Sequence, residues 1–226
     1  MDFLQGATLL VDKPLDWTSF DVVNKLRYNI SKKVGQRLKV GHAGTLDPLA
    51  TGLLIICTGK MTKHIDTLQG QEKEYIGELI LGKATPSYDS ETPPEATFAT
   101  QHITPEMIEA TTLQFLGDIL QVPPIYSALK VEGKTLYKEA RKGKTVEISS
   151  RPVRIEVFEI LAVEMPLVRF RVVCSKGTYI RSLAHDFGKA VQSGAYLSAL
   201  RRTRSGDFKI EDAKNISQWI DAIKEV

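Results

Sequence analysis

The chain has 226 residues, of which 42% are hydrophobic, and a formal net charge of +3 at pH 7. This length fits one large domain, and the apolar fraction excludes an intrinsically disordered chain. No stretch approaches the ~18 apolar residues of a membrane span. The first residues lack the basic and apolar regions of a secretion signal, so we expect a cytoplasmic protein. Cys57 and Cys174 both lie in apolar runs, which predicts buried free thiols.

Charge is distributed unevenly along the chain. Residues 124–210 contain 17 Lys and Arg against 8 Asp and Glu, whereas the remainder contains 13 against 19. A basic region of this kind favours a polyanionic partner, and nucleic acid is the usual one, although a solvated surface would have the same composition.

The first elements are a short strand over 8–12 and a helix that begins soon after it. Thr18 or Ser19 is expected to cap this helix. Apolar residues at helical spacing predict its buried face, which consists of Val22, Leu26 and Ile30.

The stretch Gly41–Gly52, with the sequence GHAGTLDPLATG, contains three glycines and one proline. This composition predicts a tight loop and argues against a regular helix or a central strand. The apolar run Leu53–Cys57 then predicts a buried strand. Asp47 is the only ionised residue between Lys39 and Lys60. A lone carboxylate on such a loop can serve as a nucleophile or a general base. The alternative is an aspartate that only caps its own turn.

The next segments alternate between regular and irregular structure. Strict alternation over Lys73–Leu81 predicts a strand that places Tyr75 on its apolar face. The polar, proline-containing stretch 84–104 predicts a surface loop. A helix is expected over 105–116 because Thr104 and Pro105 form a helix-start signal.

The basic region, residues 124–210, begins with an irregular stretch. A short amphipathic helix is predicted over Gly133–Gly143. Two long strands are expected at about 152–163 and 167–174. The following strand-to-helix passage places Tyr179 and Arg181 at the start of a helix. A last helix around Trp219 and Ile223 closes the chain.

Five segments together resemble the bacterial tRNA pseudouridine synthases of the TruB family, which act on uridine 55 in the T loop. They are Asp12-Lys13-Pro14 with Thr18-Ser19, Gly41 to Gly52, Lys73 to Tyr75, Pro123 to Arg141, and Cys174 to Arg181 with Leu200 to Phe208. The loop Gly44-Thr45-Leu46-Asp47 resembles the catalytic aspartate motif of the family. Asp16 stands where the family usually has glycine, and Ala43 where it often has threonine.

The resemblance implies an α+β fold with a mixed, largely antiparallel central sheet flanked by helices. It also implies a single catalytic domain over residues 1–226, with a protruding RNA-contacting insertion at about 124–152 and no separate PUA domain. The expected partner is the T arm of tRNA, without a membrane, a guide RNA or an obligate protein. The reaction needs no cofactor and no metal.

The same resemblance assigns roles to individual residues. Asp47 is the expected nucleophile, and it can attack either C1′ or C6 of the uridine. Tyr75 stacks on the uracil, and Tyr179 lines its other side as a candidate for moving the C5 proton. Arg181 is expected to pair with Asp47, and Leu200 to close the pocket.

Further residues are assigned to RNA binding. His42 resembles the family histidine that fills space vacated in the RNA. Basic side chains are expected to contact tRNA, and they are Lys134, Lys138, Arg141 and Arg201.

Two other functions fit parts of the sequence. A non-catalytic RNA-binding or tRNA-folding protein would use the same basic surface but would leave Asp47 without a role. A carboxylate-dependent glycoside hydrolase would need a second carboxylate as the acid, and the Asp47 motif has none.

Overall fold

The computed structural model describes residues 1–127, 129–131, 134–140 and 148–225, without the side chains of 130, 131, 134, 135, 138 and 139. Its strands are β1 (Thr8–Lys13), β2 (Val40–Ala43), β3 (Ala50–Thr58), β4 (Lys73–Leu81), β5 (Lys83–Ala84), β6 (Ala96–Thr97), β7 (Gly117–Gln121), β8 (Lys130–Val131), β9 (Lys134–Thr135), β10 (Arg151–Glu164), β11 (Leu167–Cys174), β12 (Ala195–Ser205) and β13 (Phe208–Lys209).

The helices of the described residues are α1 (Ser19–Val34), α2 (Ile65–Gly70), α3 (Pro105–Thr112), α4 (Leu136–Ala140), α5 (Ile180–Ala190) and α6 (Ile216–Glu225). Short 3₁₀ helices cover Gly59–His64, Leu113–Phe115 and Ile210–Asp212. No helix in this part of the chain is both long enough and apolar enough to cross a membrane.

The chain divides into two compact units. The first consists of Met1–Ile76 and Leu200–Val226, and the second of Gly77–Ala199. The expectation of a single catalytic domain with an insertion at about 124–152 stays a prediction.

The first unit is built around β3. Strand β1 pairs with β3 in antiparallel register, with Thr8 opposite Cys57. Strand β2 pairs with the C-terminal part of β3. Strand β12 runs parallel to the start of β3, with Leu200 opposite Ala50. The strand order in this unit is therefore β1-β3-β12-β4, and the buried residues Leu53–Cys57 of β3 lie in its interior, as predicted.

Helix α1 covers the core of the first unit. The Thr18 side chain caps it by accepting a hydrogen bond from the N–H of Asp21, and Gly35 ends it at φ 72°. Both signals are those expected at the two ends of a helix. The predicted buried face of α1 is confirmed, and it packs in a core that also contains Leu9, Val11, Leu54, Ile56, Trp219 and Ile223.

The second unit is built around β10 and β11. They form a long antiparallel pair, and β7 pairs antiparallel with the first part of β10. The strand order is β12-β4-β11-β10-β7. Four phenylalanines pack edge to face or tilted in its core, namely Phe115, Phe158, Phe170 and Phe187. With the parallel pairing of β12 and β3 beside several antiparallel pairings, the α+β class and its mixed, mostly antiparallel sheet are confirmed.

The glycine-rich stretch is less irregular than predicted. Gly41–Ala43 belongs to β2 and Ala50–Gly52 to β3, so only residues 44–49 form the loop. Gly52 fits inside a strand because the neighbouring strand approaches its bare backbone. A Cβ there would lie 2.3 Å from the backbone oxygen of Arg202, and Gly52 has φ 99°.

The prediction of a surface loop over 84–104 is wrong in part. Thr85, Ser87 and Asp89 are buried, and β5 pairs with β6. The hydroxyls of Thr85 and Ser87 donate to the backbone oxygen of Asp89 at 2.7 and 3.2 Å. Internal hydrogen bonds thus satisfy these polar groups and permit their burial.

Two helices begin or end differently from the predictions. Helix α3 stops at Thr112, where the hydroxyls of Thr111 and Thr112 donate to carbonyls of the preceding turn, a contact that competes with regular helix geometry. The helix expected over Gly133–Gly143 begins only at Leu136, because Lys134–Thr135 pairs as a strand with Lys130–Val131. Residues 132, 133 and 141–147, including Arg141, lie outside the described residues.

Candidate active site

Asp47 lies on a six-residue loop that joins β2 to β3. Gly44 begins the loop at φ 96°, a backbone conformation that favours glycine. The backbone oxygen of Asp47 accepts from the N–H of Ala50 at 3.0 Å, which closes a turn. Asp47 itself is half-buried, and the neighbouring Leu46 is 3% exposed. The carboxylate is therefore held on a short, closed turn.

Ser19 fixes the residue before Asp47. Its hydroxyl donates to the carbonyl of Leu46 at 3.0 Å and accepts from the N–H of Leu46 at 2.8 Å. Both backbone groups of Leu46 are thus satisfied by one side chain at the start of α1. The position of the loop is tied to the end of this helix.

The carbonyl after Asp47 has two donors. The oxygen of Pro48 accepts from the N–H of Asp16 at 2.9 Å and from Lys13 Nζ at 3.3 Å. The Lys13 amine also donates to the carbonyls of Pro14 and Trp17, at 2.9 and 2.5 Å. The segment between β1 and α1 therefore binds the residue after Asp47, whereas Ser19 binds the residue before it.

Lys13 is an unusual lysine because its side chain is completely buried. Burial disfavours the ammonium form and lowers the pKa of Lys13 from 10.5 to about 8, although the negative charge of Asp47 raises it. The three carbonyl partners satisfy the three N–H donors of the amine. Lys13 thus places a positive charge in the interior near the Asp47 loop.

Arg202 is a second buried cation, and it is not among the residues predicted to be functional. Its side chain is 1% exposed. Nε donates to the carbonyl of Leu53 at 2.7 Å, and Nη2 donates to the carbonyl of Gly44 at 3.0 Å. Arg202 therefore joins the first residue of the loop to the strand that follows it. Of the two successive arginines Arg201 and Arg202, only Arg201 was predicted to have a function.

The other predicted residues of the first unit lie on its strands. His42 is in β2, Tyr75 on the buried side of β4, and Leu200 in β12 opposite the first residue of β3. Burial, followed by the charge of Arg202, lowers the pKa of His42. Its imidazole is therefore neutral at pH 7.

Arg201 has an ion-pair partner within the protein. Its guanidinium donates to both carboxylate oxygens of Asp12, at 3.0 and 2.8 Å, and its Nη1 lies 3.4 Å from the hydroxyl of Thr51. A two-pronged contact of this kind orients the guanidinium. Its expected contact with RNA stays a prediction.

Tyr179 in the second unit precedes α5 and is held by a glutamine. Gln121 donates through Nε2 to the carbonyl of Tyr179 at 3.1 Å, and its Oε1 accepts from the N–H of Tyr179 at 2.8 Å. The guanidinium of Arg151 lies 4.7 Å from the centre of the Tyr179 ring, a cation–π distance. Backbone and ring of Tyr179 are both constrained.

Arg181 is buried in the first turn of α5. Its Nη1 donates to the carbonyl of Tyr126 at 2.9 Å and to that of Ser87 at 3.4 Å, and lies 3.5 Å from the carboxylate of Asp89. Asp89 was missed because it lies in a stretch that was predicted to be surface loop. The expected pair between Arg181 and Asp47 stays a prediction.

The lysines that are expected to contact RNA are described only through their backbone. Lys134 lies in β9 and Lys138 in α4. Within the described residues, no three His, Cys, Asp or Glu side chains are grouped as metal ligands.

Two family models match the chain. The model for the N-terminal domain of TruB family pseudouridylate synthase matches residues 31–180. The model for the C-terminal domain of tRNA pseudouridylate synthase B matches residues 181–225.

Curated relatives match over the same length. The chain is 55% identical to the tRNA pseudouridine synthase B of Flavobacterium johnsoniae, over 99% of this chain and 98% of that protein. It is 52% identical to the tRNA pseudouridine synthase B of Phocaeicola vulgatus, over 98% of this chain and 96% of that protein.

Solved structures have a similar fold. A chain of a Cbf5–Nop10–Gar1 complex matches with a TM-score of 0.73 and 31% identity, covering 97% of this chain and 54% of that chain. A chain of an H/ACA RNP bound to a substrate RNA containing 2′-deoxyuridine matches with a TM-score of 0.69 and 29% identity, covering 97% of this chain and 53% of that chain. The present chain thus spans about half the length of these two proteins.

Proposed function

We propose that this chain is a tRNA pseudouridine synthase, because it belongs to the TruB family of pseudouridylate synthases. The proposed reaction converts uridine 55 in the T arm of tRNA to pseudouridine. The observation that carries the proposal is the anchoring of the Asp47 loop, where Ser19 binds the residue before Asp47 and Lys13 and Asp16 bind the residue after it. The buried Lys13 ammonium also interacts electrostatically with Asp47.

Asp47 acts as the nucleophile in the proposed mechanism. Attack at C1′ breaks the bond to N1 of the uracil, and attack at C6 gives a covalent adduct from which the same bond breaks. The base then rotates, a bond forms between C1′ and C5, and the bond from Asp47 to C1′ or C6 breaks, which frees the carboxylate. The proton leaves C5 and N1 gains one, so the product is an isomer of the substrate. No oxidant, reductant or external group is consumed.

The uracil must leave the base stack to reach Asp47, at a cost of a few kcal/mol. Stacking on Tyr75 would return about 1–3 kcal/mol per base. In this scheme Tyr179 lines the other side of the base and moves the C5 proton, and Leu200 closes the pocket. His42 fills the space that the flipped base vacates in the RNA, a role that suits a neutral ring.

Arg181 pairs with Asp47 in the proposed complex. A guanidinium orients a carboxylate through two parallel hydrogen bonds, which an ammonium group does not reproduce. Asp89 and the carbonyl of Tyr126 constrain the Arg181 side chain from within its own unit. This constraint supports a role that requires a fixed direction of the guanidinium.

Binding of the T arm is proposed to use the basic segment. Lys134, Lys138 and Arg141 would contact phosphates there, together with Arg201. We further propose that the chain acts in the cytoplasm on tRNA alone, without a guide RNA or a protein partner. The basic composition of residues 124–210 supports the proposed contacts with tRNA phosphates.

The test uses the purified chain and an unmodified tRNA transcript, with nucleoside analysis by liquid chromatography and mass spectrometry. We expect pseudouridine at position 55 without any added RNA or protein, and none in a transcript with cytidine at that position. Asp47→Asn should abolish product formation while leaving the Kd for tRNA near that of wild type. Asp66→Asn, at an exposed carboxylate on α2, is the matched control and should react normally.

Each outcome has a distinct meaning. Binding of tRNA by wild type without any pseudouridine would favour the non-catalytic RNA-binding or tRNA-folding function. An abasic site would indicate a hydrolase. More than a trace of product from Asp47→Asn would remove Asp47 from the role of nucleophile.

A further inference from the structure

Tyr88 has a backbone conformation that bulky residues normally avoid. Its φ is 63°, in the left-handed region, and it is one of three non-glycine residues with positive φ among the described residues. Such outliers in L-residues persist only when surrounding contacts enforce them, and they concentrate at functional sites. Two backbone hydrogen bonds hold this one, since its N–H donates to Thr85 at 3.1 Å and its carbonyl accepts from Leu197 at 2.9 Å.

The turn at Tyr88 brings groups of its two neighbours, Ser87 and Asp89, close to the same nitrogen of Arg181. The carbonyl of Ser87 accepts from Nη1 of Arg181 at 3.4 Å, and the carboxylate of Asp89 lies 3.5 Å from the same nitrogen. In an extended strand, the carbonyl of Ser87 would lie in the hydrogen-bonding plane of the sheet, whereas the side chain of Asp89 would stand out of that plane. The unusual backbone of Tyr88 therefore allows both groups to meet Arg181.

The side chain of Tyr88 attaches the turn to the same helix. Its ring stacks on the imidazole of His185, with 3.8 Å between ring centres and 13° between planes. His185 follows Arg181 by four residues on α5, so both side chains lie on one face of the helix. The turn thus contacts this face at two points, through an ion pair and through a ring stack.

We propose that Tyr88 is a positioning residue, which holds the Asp89 turn against α5 by stacking on His185 and thereby sets the direction of the Arg181 guanidinium. This inference rests on the proposed function, in which Arg181 pairs with the nucleophile. It assigns Tyr88 no contact with the substrate.

The charge of His185 is compatible with this role. Burial, with a further contribution from Lys189, lowers the pKa of His185 to about 4. The ring is neutral at pH 7 and stacks on Tyr88 without adding a cation beside Arg181. The phenol of Tyr88 also stays neutral, because burial and the nearby Asp186 and Glu95 raise its pKa.

The experiment compares three replacements of Tyr88 in the full chain. Tyr88→Phe keeps the ring, Tyr88→Leu keeps an apolar side chain without a ring, and Tyr88→Gly removes the side chain together with the backbone strain. The measurements are the single-turnover rate constant for pseudouridine formation, the Kd for tRNA and the Tm. His185→Phe and His185→Leu repeat the comparison from the other partner.

We expect Tyr88→Phe and His185→Phe to react within about twofold of wild type. Tyr88→Gly, Tyr88→Leu and His185→Leu should be slower by about 10- to 100-fold, the effect of a small misplacement of a catalytic group. Their Kd for tRNA should stay near that of wild type. Tyr88→Gly serves as the variant whose folding is least in question, since glycine accepts this φ without strain.

Three results would overturn the proposal. The first is a wild-type rate for folded Tyr88→Gly and His185→Leu. The second is a loss that appears in the Kd for tRNA and not in the rate constant. The third is a loss in Tyr88→Phe as large as that in Tyr88→Leu, which would show that the ring stack is not what matters. An inactive wild-type chain would instead contradict the proposed function itself.

Discussion

Replacing Lys13 with methionine should change how the stability of the protein depends on pH. The amine of Lys13 is fully buried, and burial lowers its pKa from 10.5 to about 8. Unfolding returns the amine to water and to its ordinary pKa. Between about pH 8 and pH 10.5 the unfolded chain therefore binds more protons than the folded protein, so wild-type stability rises with pH in this window.

The size of the effect follows from the two pKa values. Their separation of about 2.5 corresponds to about 3 kcal/mol of stability over the whole window. About 2 kcal/mol of this falls between pH 7 and pH 9.5, because the folded amine is mostly neutral by then. The Lys13→Met variant lacks the amine that titrates in this window. The unfolding free energy of wild type minus that of Lys13→Met should thus increase by about 2 kcal/mol from pH 7 to pH 9.5.

The assay is urea unfolding at both pH values, followed by tryptophan fluorescence. Lys13→Arg is the matched control, because its guanidinium stays charged throughout this range. It should show the same change relative to wild type as Lys13→Met does. If the unfolding free energies of wild type and Lys13→Met change in parallel between the two pH values, the amine does not have the buried, shifted state described above.

Two further predictions concern backbone conformation. Gly52→Ala should lower the unfolding free energy by about 2–4 kcal/mol, since its Cβ would meet the Arg202 backbone at 2.3 Å. Gly35→Ala is its control in urea unfolding, because Gly35 has φ 72° but nothing within 4 Å, and it should cost only about 1 kcal/mol. Equal losses in the two variants would show that backbone strain, and not the contact with Arg202, determines the loss of stability. Asp16 has φ 63°, so Asp16→Gly should stay within about 0.5 kcal/mol of wild type and Asp16→Ala should lose about 1 kcal/mol. A fully stable Asp16→Ala would contradict this reasoning.

Regular periodicity made much of the fold predictable. The alternation over Lys73–Leu81 gave the strand β4 with its buried side correctly, and the spacing of apolar residues gave the buried face of α1. These patterns report which side of an element faces a core, and they need no knowledge of the neighbouring element. Local periodicity does not indicate which strands pair with each other.

Buried polar residues were the part that the sequence could not reveal. Asp89 was assigned to a surface loop because its partner Arg181 lies 92 residues away in the chain. Lys13 and Arg202 are completely buried because backbone carbonyls from other segments point at them. Carbonyl directions depend on the folded backbone and not on residue type. The loop that carries Asp47 was therefore predictable from its motif, whereas the groups that hold this loop were not.

The two cysteines have a practical consequence for following the opening of the protein. The chain has two cysteines, Cys57 in the first unit and Cys174 in the second, and both are almost completely inaccessible. Burial also raises the pKa of Cys57, so little of it is in the reactive thiolate form. Labelling by a thiol reagent under native conditions must then wait for local or global opening. The modification rate of each thiol, identified by peptide mass, measures the opening free energy of its own unit without any engineered probe.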